Sequence, residues 1–326
     1  MINQKYYNDI KHFPQQFRVG MELASRIKVE GTFNRIVLCG MGGSALYVEL
    51  LNDYFASDPT NKIKIEPWRS YGLPSGVDKN TLFMVCSYSG TTEETLAALE
   101  LIEQYQFPHF IITSNEKIRQ RVQESHAPLI LIPTGTQPRL STGYFIGTIL
   151  KVLENCKLIT SKEHELNTIA RELDHYLDEA AARELAKELI GLVPIIYTTE
   201  NNASLGRVAK IKFNENAKIQ SFHNYFPELN HNEMVGFTKM LMKPYFLIFR
   251  SQFTNPRNYQ RMEIFLKLMQ HKGLVGKIIP MKGTSTFAEM MNAYYFVDHV
   301  TYYLAQEYGI NPEPVDMVED FKRMLE

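Results

Sequence analysis

Apolar residues fall into short unbroken runs separated by longer stretches of helical periodicity. Arg35-Ile36-Val37-Leu38-Cys39-Gly40 and Leu82-Phe83-Met84-Val85-Cys86 are too short for helices and apolar at nearly every position, the pattern of strands covered on both faces. Phe110-Ile111-Ile112 and Leu129-Ile130-Leu131-Ile132 repeat it, and Ile63 to Ile65 makes a shorter strand. The intervening periodicity predicts helices from about Ala45 to Phe55 and from Glu93 to Tyr105. Between Thr142 and Ile190 the pattern is almost wholly helical. The alternation then restarts: strands at Val193–Thr198, Tyr245–Phe249 and Val275–Ile279, and helices at Ser204–Asn216, Asn258–His271, Met290–Tyr308 and Val315–Leu325. Strands alternating with helices predict an α/β fold whose parallel sheets are flanked by helices. Two units of similar size are expected, residues 1–155 and 156–326.

Composition narrows the function. With 44% hydrophobic and 22% charged residues, the chain of 326 residues reads as globular. A formal net charge of −1 gives nothing to draw in nucleic acid or an acidic membrane. No apolar run is long enough to span a bilayer, and Met1 to Gln16 lacks a signal-peptide core, so a cytoplasmic location is expected. The three cysteines, Cys39, Cys86 and Cys156, form no C-x-x-C pair, and His223 and His231 lack a third ligand at metal-binding spacing. No metal and no cofactor are expected.

Two segments share one design: a buried strand, then small and hydroxyl residues, then a helix. In the first, Gly40, Gly42 and Gly43 let backbone approach a ligand closely, and Ser44 is expected at a helix N-cap, where free N–H groups attract an anion. In the second, Ser87, Ser89 and Thr92 surround Gly90, and Thr91 and Glu94 have capping-box spacing. Both lie at carboxyl ends of strands, where open α/β sheets bind ligands. Together they predict a phosphate cradle of neutral donors. Gly40 to Ala45 also fits G-x-G-x-x-A, which leaves a dinucleotide-dependent oxidoreductase open; no lysine follows to make a Walker motif.

Gly40-Met41-Gly42-Gly43-Ser44 and Ser87-Tyr88-Ser89-Gly90-Thr91-Thr92-Glu93-Glu94-Thr95 resemble the signature loops of the sugar isomerase domain. Gln137-Pro138-Arg139, Asn214-Glu215-Asn216-Ala217-Lys218, Pro227-Glu228-Leu229-Asn230-His231-Asn232-Glu233 and Phe321-Lys322-Arg323-Met324-Leu325 extend the resemblance to the bifunctional phosphoglucose/phosphomannose isomerase family. It implies two tandem sugar isomerase domains and a homodimer with the active site at the subunit interface. The implied reaction is aldose–ketose isomerisation of a phosphorylated hexose through an enediol. Gly42, Gly43, Ser44, Ser87, Ser89 and Thr92 would hold the phosphate. Arg139 would steady the intermediate, Glu215 would be the base, and His231, from the partner subunit, and Lys322 would act on the sugar ring. Thr91 stands where the family usually has Asn, and Pro314-Val315 where some relatives carry a threonine associated with the mannose epimer. The other reading is a phosphosugar-sensing regulator without turnover, although no basic patch or DNA-binding segment accompanies it.

The residues themselves support parts of this scheme. Leu205, Val208 and Ile211 form an apolar stripe that Glu215 continues, which would raise its pKa toward that of a general base; pairing with Lys212 or Lys218 is the plainer reading. Asn230 and Glu233 have capping-box spacing, which would put His231 in a first helical turn and favour neutral imidazole. Arg139 follows a strand at its carboxyl edge and offers a fixed charge for an enediolate, or a surface salt bridge. Phe222 to Glu233 is longer than a tight connection and is expected to reach across a dimer interface.

Overall fold

The computed structural model describes residues 3–118 and 127–325. The chain divides into two compact units, one spanning Lys11–Arg171 and the other joining Met1–Ile10 to Glu172–Glu326. The expected boundary near residue 155 lies in the helical stretch between the two sheets; the compact units part within the helix Glu163–Tyr176.

After α1 (Gln4–Lys11) and α2 (Phe13–Leu23), the Lys11–Arg171 unit contains β1 (Arg35–Cys39), α3 (Leu46–Ala56), β2 (Ile65–Trp68), β3 (Thr81–Cys86), α4 (Glu93–Gln104), β4 (His109–Thr113), β5 (Leu129–Leu131) and α5 (Thr142–Asn155). Its five strands are parallel and ordered β2-β1-β3-β4-β5. Every residue of β3 is buried, because helices cover both faces of a parallel sheet. Val37, Phe83 and Ile111 occupy one cluster with Ala98, Leu99 and Ile102 of α4. Burial also pushes the Cys86 thiol up to about 12 and raises that of Cys39, so both remain protonated at the sheet's carboxyl edge.

The second unit continues with α6 (Glu163–Tyr176), whose later part it contains, and α7 (Glu179–Glu188), then β6 (Val193–Thr199), α8 (Ala203–Asn216), β7 (Phe222–Phe226), β8 (Pro244–Arg250), α9 (Pro256–His271), β9 (Val275–Pro280), α10 (Thr286–Glu307) and α11 (Asp316–Leu325). Its parallel sheet runs β7-β6-β8-β9. Phe226, Phe246, Phe265 and Tyr197 build its aromatic core. Among the described residues, no helix is long and apolar enough to cross a membrane.

β7 is a strand where a long connection was expected. It pairs on one side only, Ile195 with Phe222 through Thr199 with Phe226. Four of its five residues are exposed or half-buried, so no apolar run announces it. The segment from Phe222 to Glu233 is therefore an edge strand followed by short 3-10 turns, and its length no longer argues for a reach across an interface.

α8 is fastened to α10 by a charged contact in the core. Lys212 and Asp298 are 0% and 2% exposed, and the ammonium lies 2.8 Å and 3.0 Å from the two carboxylate oxygens and 2.7 Å from the Tyr294 hydroxyl. Asn216 extends the network, donating to Thr301 (2.9 Å) and accepting from Tyr6 (2.6 Å). Removing one partner of a buried pair strands the other charge in a medium that solvates it poorly. Lys212→Ala is expected to lower stability by about 3–5 kcal/mol, and Lys212→Met with Asp298→Leu to recover most of that. Denaturant midpoints check this; a cost below about 1 kcal/mol for Lys212→Ala would mean the pair contributes no more than a surface contact.

Candidate active site

The strand order β2-β1-β3-β4-β5 reverses direction between β1 and β3, and ligands in open α/β sheets bind outside the carboxyl ends of strands at such a point. The two small-residue loops leave the sheet there: Gly40–Ala45 after β1 and Ser87–Thr92 after β3. One hydrogen bond joins them, from the Tyr88 backbone N–H to the Ser44 hydroxyl oxygen at 2.9 Å. Tyr88 extends the tie: its hydroxyl is 3.2 Å from the Pro133 carbonyl oxygen, and Thr136 N–H donates to it at 3.2 Å.

Two glycines make this approach feasible. A Cβ on Gly40 would stand 2.8 Å from the Cys86 carbonyl oxygen, and one on Gly43 would stand 2.8 Å from the Arg139 nitrogen. Neither neighbour is a flexible side chain, so the backbone would have to move.

The hydroxyls are arranged as acceptors within the protein, which leaves protons to give. Ser44 accepts from Tyr88; Ser89 accepts from the Thr91 N–H and hydroxyl, at 3.3 Å and 3.1 Å. Ser87 accepts from the Gly90 N–H at 3.0 Å and shares one proton with Thr92, also at 3.0 Å. The O–H groups of Ser44 and Ser89, and one from the Ser87–Thr92 pair, are thus chemically available to an anion. Ser44 does not cap a helix as expected. It lies inside a 3-10 turn, Gly42–Ala45, ahead of α3, because its oxygen is committed to the neighbouring loop. Nor do Thr91 and Glu94 form the capping box: Thr92 is the N-cap of α4, without a side-chain cap bond, its hydroxyl being turned to Ser87. Glu93 and Glu94 already answer the dipole of α4. The hydroxyls, more than that dipole, are what these loops could offer an anion.

Arg139 sits in the 3-10 turn Pro138–Leu140, against Gly43, and is only 2% exposed. That removes the surface salt bridge as an account of it. Its guanidinium donates to the Gln137 side chain at 3.2 Å, and its charge cannot be lost by deprotonation.

Glu215, His231 and Lys322 belong to the other unit. Glu215 is in the last turn of α8 but half-buried; the buried face runs through Leu205, Val208, Lys212 and Asn216, so Glu215 stands beside the stripe and does not continue it. The pattern misled because Lys212, a charged residue, is in the core. His231 is exposed and ends the 3-10 turn Glu228–His231; the capping residue is Asn232, which accepts from the Glu233 N–H at 2.6 Å. The first-turn argument for a neutral imidazole therefore fails. Glu233 instead anchors this loop, accepting from Tyr197 at 2.5 Å and from the Asn224 amide. Lys322 is exposed on α11, 2.8 Å from Glu319. Tyr88 and Glu233 went unnoticed as structural ties, although both stand inside the motifs. Among the described residues, no group of three or more His, Cys, Asp or Glu side chains is placed to hold a metal ion.

Gly43→Ala is expected to weaken binding of a sugar phosphate at least about tenfold, since displaced donors forfeit their geometry. Gly42→Ala, whose Cβ meets nothing within 4 Å but whose φ is +50°, is expected to affect binding less. Calorimetric titration checks this; equal affinities for Gly43→Ala and the parent chain would detach this loop contact from the site.

Three comparisons bear on this site. The family described as "Bacterial phospho-glucose isomerase C-terminal SIS domain" matches residues 178–325. The chain is 32% identical to a bifunctional phosphoglucose/phosphomannose isomerase of Thermoplasma acidophilum over 90% of its length and 91% of the relative's. It is 29% identical to the protein of the same name from Aquifex aeolicus, over 99% and 98%. Among solved structures, the C-terminal domain of glucosamine-fructose-6-phosphate aminotransferase from Francisella tularensis aligns with a TM-score of 0.71 at 13% identity, covering 95% of this chain and 98% of that one, a likeness of fold. Parallel sheets, paired loops at the switch point and relatives matched along nearly their whole length agree: the chain belongs to the bifunctional phosphoglucose/phosphomannose isomerase family.

Proposed function

We propose that this protein interconverts glucose 6-phosphate and mannose 6-phosphate with fructose 6-phosphate. The observation that carries the reading is the pair of loops tied by Ser44 and Tyr88, which gathers uncharged O–H donors beside a buried arginine at the switch point of a parallel sheet. Family membership supplies the substrate class. A binding-only regulator would need the loops alone; Glu215 and His231 in the family's motifs favour turnover.

The reaction is a proton transfer with no net redox change. His231 moves a proton between the anomeric hydroxyl and the ring oxygen, opening the sugar, and Lys322 assists at the ring. The Glu215 carboxylate takes the proton from the carbon beside the carbonyl, C2 of the aldose or C1 of the ketose. The electron pair left behind makes the enediolate, whose charge Arg139 stabilises. A proton delivered to the other carbon, after exchange of the carboxyl proton with solvent, completes the isomerisation as the hydroxyl proton passes between O2 and O1; delivery to either face of C2 gives the glucose or the mannose epimer. Gly42, Gly43, Ser44, Ser87, Ser89 and Thr92 hold the phosphate throughout, and binding there is the same in ground and transition states, so it serves mainly affinity and orientation. No step calls for a metal or cofactor. The reading carries with it a homodimer in which His231 serves the partner's site, two tandem sugar isomerase domains, and a cytoplasmic role in glycolysis and gluconeogenesis.

Glu215→Gln tests the base. The amide keeps the shape and cannot accept a proton, so kcat is expected to fall by about 10²–10⁴-fold, with binding of a five-carbon sugar-acid phosphate retained in calorimetry. Turnover near the parent rate would assign proton transfer to another group.

A further inference from the structure

The helix that bears Lys322 is held to the protein at its root. α11 has no buried residue; Met317 is 85% exposed, Phe321 62% and Met324 87%. Packing therefore does not set its position within its unit, and the segment before it must. Asn3 donates from its side-chain amide to Asn311 and Glu313 there, at 3.1 Å and 2.6 Å. The other fastening is Lys218. Its ammonium donates to the Pro312 carbonyl at 3.2 Å, to the Pro314 carbonyl, and to the carbonyl of Glu215 at 2.5 Å. One cation thus ties the launching segment of α11 to the last turn of α8, at the residue proposed as the base.

The backbone at Lys218 is informative. It adopts φ +58° just past the helix end, a left-handed conformation that glycine takes without steric cost and that commonly ends helices. A turn alone would be better served by glycine. The lysine brings three N–H donors on a long stem, and three backbone carbonyls from two chain segments converge on them.

We infer that Lys218 is a positioning residue for the reaction: by clamping the root of α11 to the end of α8 it sets where Lys322 stands relative to Glu215. This rests on the proposed function and deepens it. Lys218→Met removes the donors and keeps the stem; Lys218→Gly removes both and relieves the backbone, which offsets the stability lost with the hydrogen bonds, and its melting temperature separates lost stability from lost positioning. With fructose 6-phosphate, kcat is expected to fall about tenfold or more in both, as displaced reacting groups do. KM should stay within about twofold, because the phosphate donors lie on other loops, and the Lys218→Gly melting temperature should not fall. In a Lys322→Ala background, neither substitution should lower kcat much further, since the group being positioned is gone. Parent-like kcat in Lys218→Gly, full multiplication of the Lys218→Met and Lys322→Ala losses, or a Lys322→Ala variant with parent activity would each overturn the clamp and leave the isomerase reading standing. A parent chain that does not turn over fructose 6-phosphate would overturn both.

Discussion

The donation from the Tyr88 N–H to the Ser44 hydroxyl oxygen is the contact on which the candidate site depends. It joins the ends of two neighbouring parallel strands at the one place where the sheet's winding reverses. Its geometry is possible only because Gly40 and Gly43 bring no Cβ into the 2.8 Å gaps toward Cys86 and Arg139. Once it forms, the remaining hydroxyls fall into a consistent pattern. Each accepts from within its own loops, and protons are left for a ligand that has only acceptors to offer. A phosphate monoester is such a ligand.

Neutral donors suit this task for an electrostatic reason. A lysine-rich cradle would attract any second negative charge, whether or not it lay at the reacting carbons. Here the buried cation is Arg139, whose charge is fixed. An enediolate is the species in the proposed reaction that gains charge away from the phosphate, and a fixed cation favours it over the neutral sugar. The second unit contributes a rigid frame for its own motif residues. Lys212 and Asp298 pin α8 against α10, and Glu233, held by Tyr197 and Asn224, pins the loop of His231. Buried polar contacts of this kind specify position more than they add stability.

Much of this was legible in the amino-acid sequence, because parallel strands covered on both faces leave continuous apolar runs. β1, β3, β4, β6 and β8 announce themselves in that way. β7 does not: Phe222 to Phe226 is an edge strand, exposed along most of its length, and its backbone pairing leaves no mark on side-chain polarity. Local capping signals misled for a related reason. Ser44, Thr91 and Asn230 have the right chemistry and spacing for caps, yet Ser44 bonds to a loop more than forty residues away, and Asn232 takes the cap expected of Asn230. Glu215 was read as continuing the buried stripe, which instead runs through Lys212 and Asn216, because a charged lysine was not expected in the core. For Ser44 and Lys212 a long-range polar contact overrode a local rule, and such contacts are invisible to periodicity.

The central claim is that the chain isomerises a sugar phosphate by proton transfer with its own side chains. Its most direct test is nuclear magnetic resonance of fructose 6-phosphate incubated with the parent protein in deuterium oxide containing a strong chelator. The account predicts aldose 6-phosphates carrying deuterium at C2, at a rate the chelator does not change. Absence of aldose, products bearing only protium at C2, or activity lost to the chelator and restored by a divalent ion would contradict it.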